Sequence, residues 1–110
     1  METKKLDIII DAGEDFIMPF TMWDYNDVLI NLTGAFIDAH LRHFATDRDF
    51  IPFEVSHNGP GGRVTIKMAG SNTERIPYST GVYDVLITFP NGQKVKPLKG
   101  DVKILAGATR

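Results

Sequence analysis

Three groups of side chains in this chain have the types and spacing to do chemistry. His40 and His43 stand three apart. On a helix that spacing gives two metal ligands one face; on a strand the two rings point to opposite faces and cannot chelate. No third ligand is obvious, and only His57 or a carboxylate could join them by folding. The second group is acidic: Asp11, Glu14 and Asp15, then Asp24 and Asp27. Calcium needs oxygen ligands at regular alternation closed by a bidentate Glu, and neither feature is present. A carboxylate pair for glycoside hydrolysis needs a cleft, which so short a chain seldom encloses. The third is Asp84, a lone carboxylate inside the apolar run Val82-Tyr83-Asp84-Val85-Leu86-Ile87. It could serve catalysis, bind a metal or belong to the framework.

Other chemistry lacks its residues. There is no cysteine for a thiolate site or a disulfide. No serine sits in a G-x-S-x-G setting. The Gly-rich stretch "SHNGPGG" is not followed by the Lys-Ser/Thr and helix of a phosphate loop, and reads as a flexible hairpin loop. Trp23, Tyr25, Tyr78 and Tyr83 are candidates for a sugar- or base-stacking platform, which needs several exposed rings on one face. Tyr83, Val85, Ile87 and Phe89 share a strand face too apolar to be wet, so packing is their expected use. The expectation is therefore no catalytic residue, no metal, no cofactor and no small-molecule substrate.

The totals narrow the class. With 110 residues, 43% hydrophobic and 24% charged, the chain is expected to form one globular domain over 1–110, with 1–14 as an N-terminal strand or arm. No apolar run approaches the roughly 20 residues that span a bilayer, and Met1–Lys5 does not lead into a signal-peptide core, so no membrane is expected. A net charge of −2 argues against nucleic acid. Residues 1–55 hold eleven acids against four bases, residues 56–110 three against eight. Either the domain has complementary faces that stack on copies of itself or on a partner, or strands from both halves interleave and the asymmetry cancels.

Turn signals every 8–15 residues set the rhythm of an all-β sandwich. Expected strands begin with Leu6–Ile10 and Phe16–Trp23; Pro19 makes the latter an edge or bulged strand. Asp24–Asp27 is a turn. Residues 35–44 read almost equally as a strand, with Ala35, Ile37, Ala39 and Leu41 inward, or as a helix starting after Thr33. Phe50–Val55 and Arg63–Met68 are strands, and Ser71–Glu74 has capping-box spacing for a helical turn near 71–76. Phe89-Pro90-Asn91-Gly92 fits a three-residue bulged hairpin loop. Gln93–Leu98 returns with Lys94, Lys96 and Pro97 as edge protection, Lys99-Gly100 turns the chain, and Asp101–Leu105 is the last strand.

Several of these marks recur in order: "INLTGAFIDAHLR", then "GRVTIKMAGSNTERIPYSTGVYDVLITFPNGQKVKPLKGDVKI", then a terminal "ATR". Together they resemble a family of small bacteriophage virion proteins of the tail and baseplate, and the N-terminal domain of phage upper baseplate proteins. The resemblance covers roughly residues 15–110 and leaves out Leu6–Ile10, which could complete the domain's own sheet or a neighbour's. It implies an immunoglobulin-like antiparallel β-sandwich of about seven or eight strands, with 35–44 a strand. It also implies a non-enzymatic virion component of tail, baseplate, neck or fibre adaptor, made in the host bacterial cytoplasm. Its partners would be other phage virion proteins and copies of itself. A carbohydrate-binding or host-adhesion module and a capsid decoration protein are the alternatives.

On that reading Asp84 is framework. Arg42, ending the "AHLR" strand, is its family-matched partner, and breaking a covered pair would cost about 3–5 kcal/mol. The expected contact residues are the aromatics Phe16, Phe20, Trp23 and Tyr25, the loop residues His57 and Asn58, and the basic edge Lys94, Lys96 and Lys99.

Overall fold

The computed structural model describes residues 3–107; the terminal "ATR" lies outside them. Period-two alternation builds two facing sheets. The larger contains β1 (Lys4–Lys5), β2 (Ile8–Asp11), β4 (Phe36–Arg42), β5 (Ile51–Pro52), β8 (Thr80–Thr88) and β9 (Lys94–Leu105). Its order is β1-β9-β8-β4-β5, with β2 following β1 along β9. The smaller sheet is β3 (Phe16–Thr21), β7 (Arg63–Met68) and β6 (Glu54–His57), in the order β3-β7-β6. The inner faces meet in one core that includes Ile10, Leu32, Leu41, Val64, Ile66, Val85, Ile87 and Val102. The fold is an all-β sandwich of immunoglobulin-like type.

The segment 35–44 is a strand at Phe36–Arg42 and no helix, with Ala39 and Leu41 buried and Phe36 exposed. β4 lies beside β8 with Ile37 opposite Ile87 and Leu41 opposite Tyr83, so cross-strand apolar pairs outweigh the local helical stripe. β3 is an edge of its sheet, which accommodates Pro19. The last hairpin closes as a bulged loop: Phe89 N–H bonds the Gln93 carbonyl at 2.8 Å, and Gly92 takes φ +88°.

Five expectations need correction. The described residues form nine strands and not seven or eight: the expected Leu6–Ile10 is Ile8–Asp11, preceded by an unexpected strand at Lys4–Lys5, and Phe50–Val55 breaks at Phe53. Phe53 is a corner: β5 pairs with β4, β6 pairs with β7, and the buried ring lies 5.8 Å from Phe16. Lys99-Gly100 is no turn, since β9 runs unbroken to Leu105. β1 and β2 lie parallel to β9, so the larger sheet is mixed; strands far apart in sequence need no hairpin, and direction is free. The capping box does not form, and α1 (Gly70–Thr73) has no side-chain cap bond. The buried Thr73 hydroxyl instead accepts from Gly13 N–H at 3.0 Å and donates to the Glu14 carbonyl at 2.8 Å. That pair of bonds ties the helical turn to the β2–β3 connection.

In the larger sheet the C-terminal strands β8 and β9 lie side by side between strands of the N-terminal half, β1 and β2 on one side and β4 and β5 on the other. The seam is held at the β1–β2 break. The Leu6 carbonyl accepts from Tyr83 Oη–H at 2.6 Å, Leu6 N–H bonds the Lys99 carbonyl at 2.8 Å, and Asp7 Oδ1 accepts from Asp101 N–H at 2.9 Å. A Cβ on Gly100 would fall 2.1 Å from the Leu6 carbonyl oxygen, so only glycine lets the seam close. Burial, with the Asp7 charge a second cause, pushes the Tyr83 phenol up to about 12.

Candidate functional site

The outward residues of β4, β8 and β9 line a groove of about 430 Å³ on the exposed face of the larger sheet. Lys5, His40, Arg42, Val82, Asp84, Lys96, Lys99 and Asp101 all contribute to its walls. Asp84 is here, on the outer face of β8, with its side chain 30% exposed. Its partner is Lys96, whose Nζ lies 2.9 Å from Oδ2, and not Arg42. The reason is register. Asp84 lies opposite His40 on β4 and Lys99 on β9, while Arg42 lies opposite Val82. Between Val85 and Ile87 the β8–β9 register slips by one residue on the β9 side, a bulge at Lys96-Pro97. The bulge accommodates Pro97 and sets Lys96 within reach of the carboxylate.

Arg42 is held elsewhere. Its Nε donates to the Asp47 carbonyl at 3.0 Å, and its guanidinium carbon lies 5.2 Å from the Phe50 ring centroid. Phe50 also stacks on His40, centroids 3.7 Å apart and 20° from parallel. Asp47 Oδ2 accepts from Phe44 N–H, closing the turn that presents these contacts. Lys5 lies between Asp7 at 3.8 Å and Asp101 at 3.5 Å. Among the described residues Arg42 and Lys99 have no carboxylate partner, and they give the groove its positive excess.

A second region is the lobe over 23–29. Asp24 Oδ1 accepts from Asn26 N–H at 2.8 Å and from Val28 N–H at 3.0 Å, and Trp23 bridges Leu29 across the lobe's base. Asp27 takes φ +59°, a left-handed conformation that aspartate tolerates. These polar bonds turn the large side chains outward: Trp23 is 55% and Tyr25 82% exposed, with Val28 and Leu29 beside them. Such a contiguous apolar group on a polar base is unlike the scattered exposed residues normal on a surface. A hollow of about 420 Å³ beneath it is lined by Lys4, Phe20, Met22, Trp23, Asp27 and Leu98.

The structure divides the sequence-predicted contact residues. Trp23 and Tyr25 are exposed together in the lobe. Phe16 and Phe20 are half-buried and packed on the core, so they are chiefly core residues. His57 and Asn58 are exposed, but their side chains close their own loop. His57 Nδ1 accepts from Gly59 N–H at 3.0 Å, and Asn58 Oδ1 from Arg63 N–H at 2.9 Å. The "SHNGPGG" stretch is thus not slack; it holds a 3-10 turn at Gly59–Gly61 and packs on the chain at 22–32. Lys96 and Lys99 line the groove. Lys94 is exposed at the hairpin end of β9, where Lys94–Pro97 has no paired strand on its far side among the described residues. The expected lysine-rich edge is real there and ends at Leu98, where β1 covers it.

His40 and His43 are used in different ring stacks. His43 lies 4.5 Å from Tyr78, at 4° between planes, and 4.0 Å from Phe44. Burial, and secondarily the Asp47 charge, raise the Tyr78 phenol above its ordinary value. Asp47 and Phe50 were missed by sequence reasoning. The only available signal was an acidic turn after "LRHFAT", and nothing in that string tells which strand the turn folds over.

No family model matches the sequence, and no curated protein sequence does. The backbone is similar to the crystal structure of a mutant of the SrpA adhesin from Streptococcus sanguinis, with a TM-score of 0.54 and 16% sequence identity. The match covers 93% of this chain and 56% of the adhesin chain, so this chain spans little more than half of that protein's length. At that identity the likeness is one of fold.

Proposed function

We propose that this chain is a non-enzymatic bacteriophage virion component that works by docking to other virion proteins and to copies of itself. The observation that carries the reading is the pre-built surface. One face offers a groove with two uncompensated cations, and nearby a hydrogen-bonded lobe holds Trp23 and Tyr25 in solvent. Aromatic anchors and arginine on rigid supports are the residues that dominate protein–protein binding energy. The ordered motifs that resemble the tail and baseplate family supply the virion context, and the sandwich they imply is the fold adopted. The test is mass spectrometry of purified phage particles. The chain should be present at a fixed copy number, and absence from the particle would overturn the assignment.

A second reading, a host-adhesion or carbohydrate-binding module, draws on the fold likeness to an adhesin and on the exposed rings of Trp23 and Tyr25. Glycan-array binding that disappears in Trp23→Ala would favour it over the virion reading.

A further inference from the structure

Groove and lobe are complementary in charge. Of the groove's four cations, Lys5 pairs with Asp7 and Asp101 and Lys96 with Asp84, while Arg42 and Lys99 have no carboxylate partner among the described residues. The lobe has Asp24 and Asp27 and no base between 23 and 29. Neither region needs a further partner to fold. The lobe closes on its own backbone through Asp24, and the groove's walls are fixed by the Lys96–Asp84 pair and by Arg42 on the Asp47 carbonyl. Arg42 has its Nε engaged and its ring-stacking partner in place, so its terminal amines are presented with little conformational freedom to lose.

We infer that the groove takes the 23–29 lobe of a second copy of this chain, the Asp27 carboxylate meeting Arg42 and Lys99 while Tyr25 covers the apolar wall at Val82. Two acids entering a site with two uncompensated cations leave no net charge stranded, which is what a partly desolvated contact requires. Tyr25 suits the position because it contributes contact area at low entropic cost and keeps a hydroxyl for the wet rim. The contact is heterologous, since different surfaces meet, so one missing surface on each of two chains can be complemented. This rests on the reading that the domain acts through protein contacts.

The whole chain would be examined by sedimentation velocity at several concentrations and low ionic strength. Wild type is expected to exceed the 12.3 kDa monomer mass, and 0.5 M salt to reverse this. A lobe variant, Tyr25→Ser with Asp27→Asn, and a groove variant, Lys99→Glu with Arg42→Gln, should each associate at least about tenfold more weakly. Mixed in equal amounts they should recover a species of twice the monomer mass and no larger, because each chain keeps only one working surface. If the double groove variant melts early, Lys99→Glu alone replaces it. A wild type that stays monomeric, variants that associate normally, or a mixture that does not recover would each overturn the inference. Particles holding the chain at fixed copy number alongside a monomeric mixture would retire the self-contact and leave the docking role standing.

Discussion

The loop at 57–62 packs on the residues that flank the lobe at 23–29, yet the two use their side chains oppositely. In 57–62 the polar side chains of His57 and Asn58 bond their own backbone. The main chain is pinned too: Met22 N–H bonds the Gly62 carbonyl at 2.8 Å, and Leu32 N–H the Gly59 carbonyl at 2.9 Å. In 23–29 one aspartate satisfies the turn, and the rings face solvent. A loop rich in hydrogen-bonding side chains that are all engaged internally serves stability. A loop whose largest side chains have no internal use is where a partner can bind.

The contrast breaks first at Gly62. A Cβ there would fall 2.8 Å from the Met22 carbonyl oxygen, at φ +66°. Gly62→Ala should cost about 2–4 kcal/mol, read as a lowered melting midpoint; an unchanged midpoint would mean that this loop is not pinned.

Tyr83→Phe leaves the Leu6 carbonyl without its bond and should cost about 1–2 kcal/mol. It also carries a pH signature. The folded-state phenol is raised from 10.0 to about 12, so the stability it confers is complete below pH 10 and disappears as pH rises through 12. Wild type should lose stability over that window and the variant should lose less; parallel titration curves would exclude the buried phenol as the cause.

Asn58→Ala removes one side-chain bond to the Arg63 amide and should cost about 1 kcal/mol by denaturant titration. Asp84→Asn should cost no more than about 1 kcal/mol, because both members of the pair are partly exposed and screened. That replaces the several kcal/mol expected for a covered pair with Arg42, and a large loss would restore a buried role. Smallest of all, Tyr25→Ser should leave stability within about 0.5 kcal/mol of wild type, since 82% of that residue is already in water.

Much of the scaffold is legible along the chain. Alternation at Val64, Ile66 and Met68, or at Tyr83, Val85 and Ile87, names the buried face because a strand's side chains repeat every two residues. Pro90 and Gly92 announce the bulged turn through their backbone preferences. The outward position of Asp84 follows from the same alternation, whereas Lys96 and Lys99 differ in parity and both face out only because of the bulge at Lys96-Pro97.

What residues 1–110 determined alone was most of the strand pattern, the turn at Phe89–Gly92, and the buried faces of β7 and β8. Those are local properties of φ/ψ preference and period. Tertiary structure decided that Asp84 would meet Lys96 while Arg42 turned to Asp47 and Phe50, that β1 and β2 would run parallel to β9, and that Phe53 would carry the chain from one sheet to the other. Each depends on register between strands far apart in sequence, and a one-residue bulge at Lys96-Pro97 is enough to exchange one partner for another.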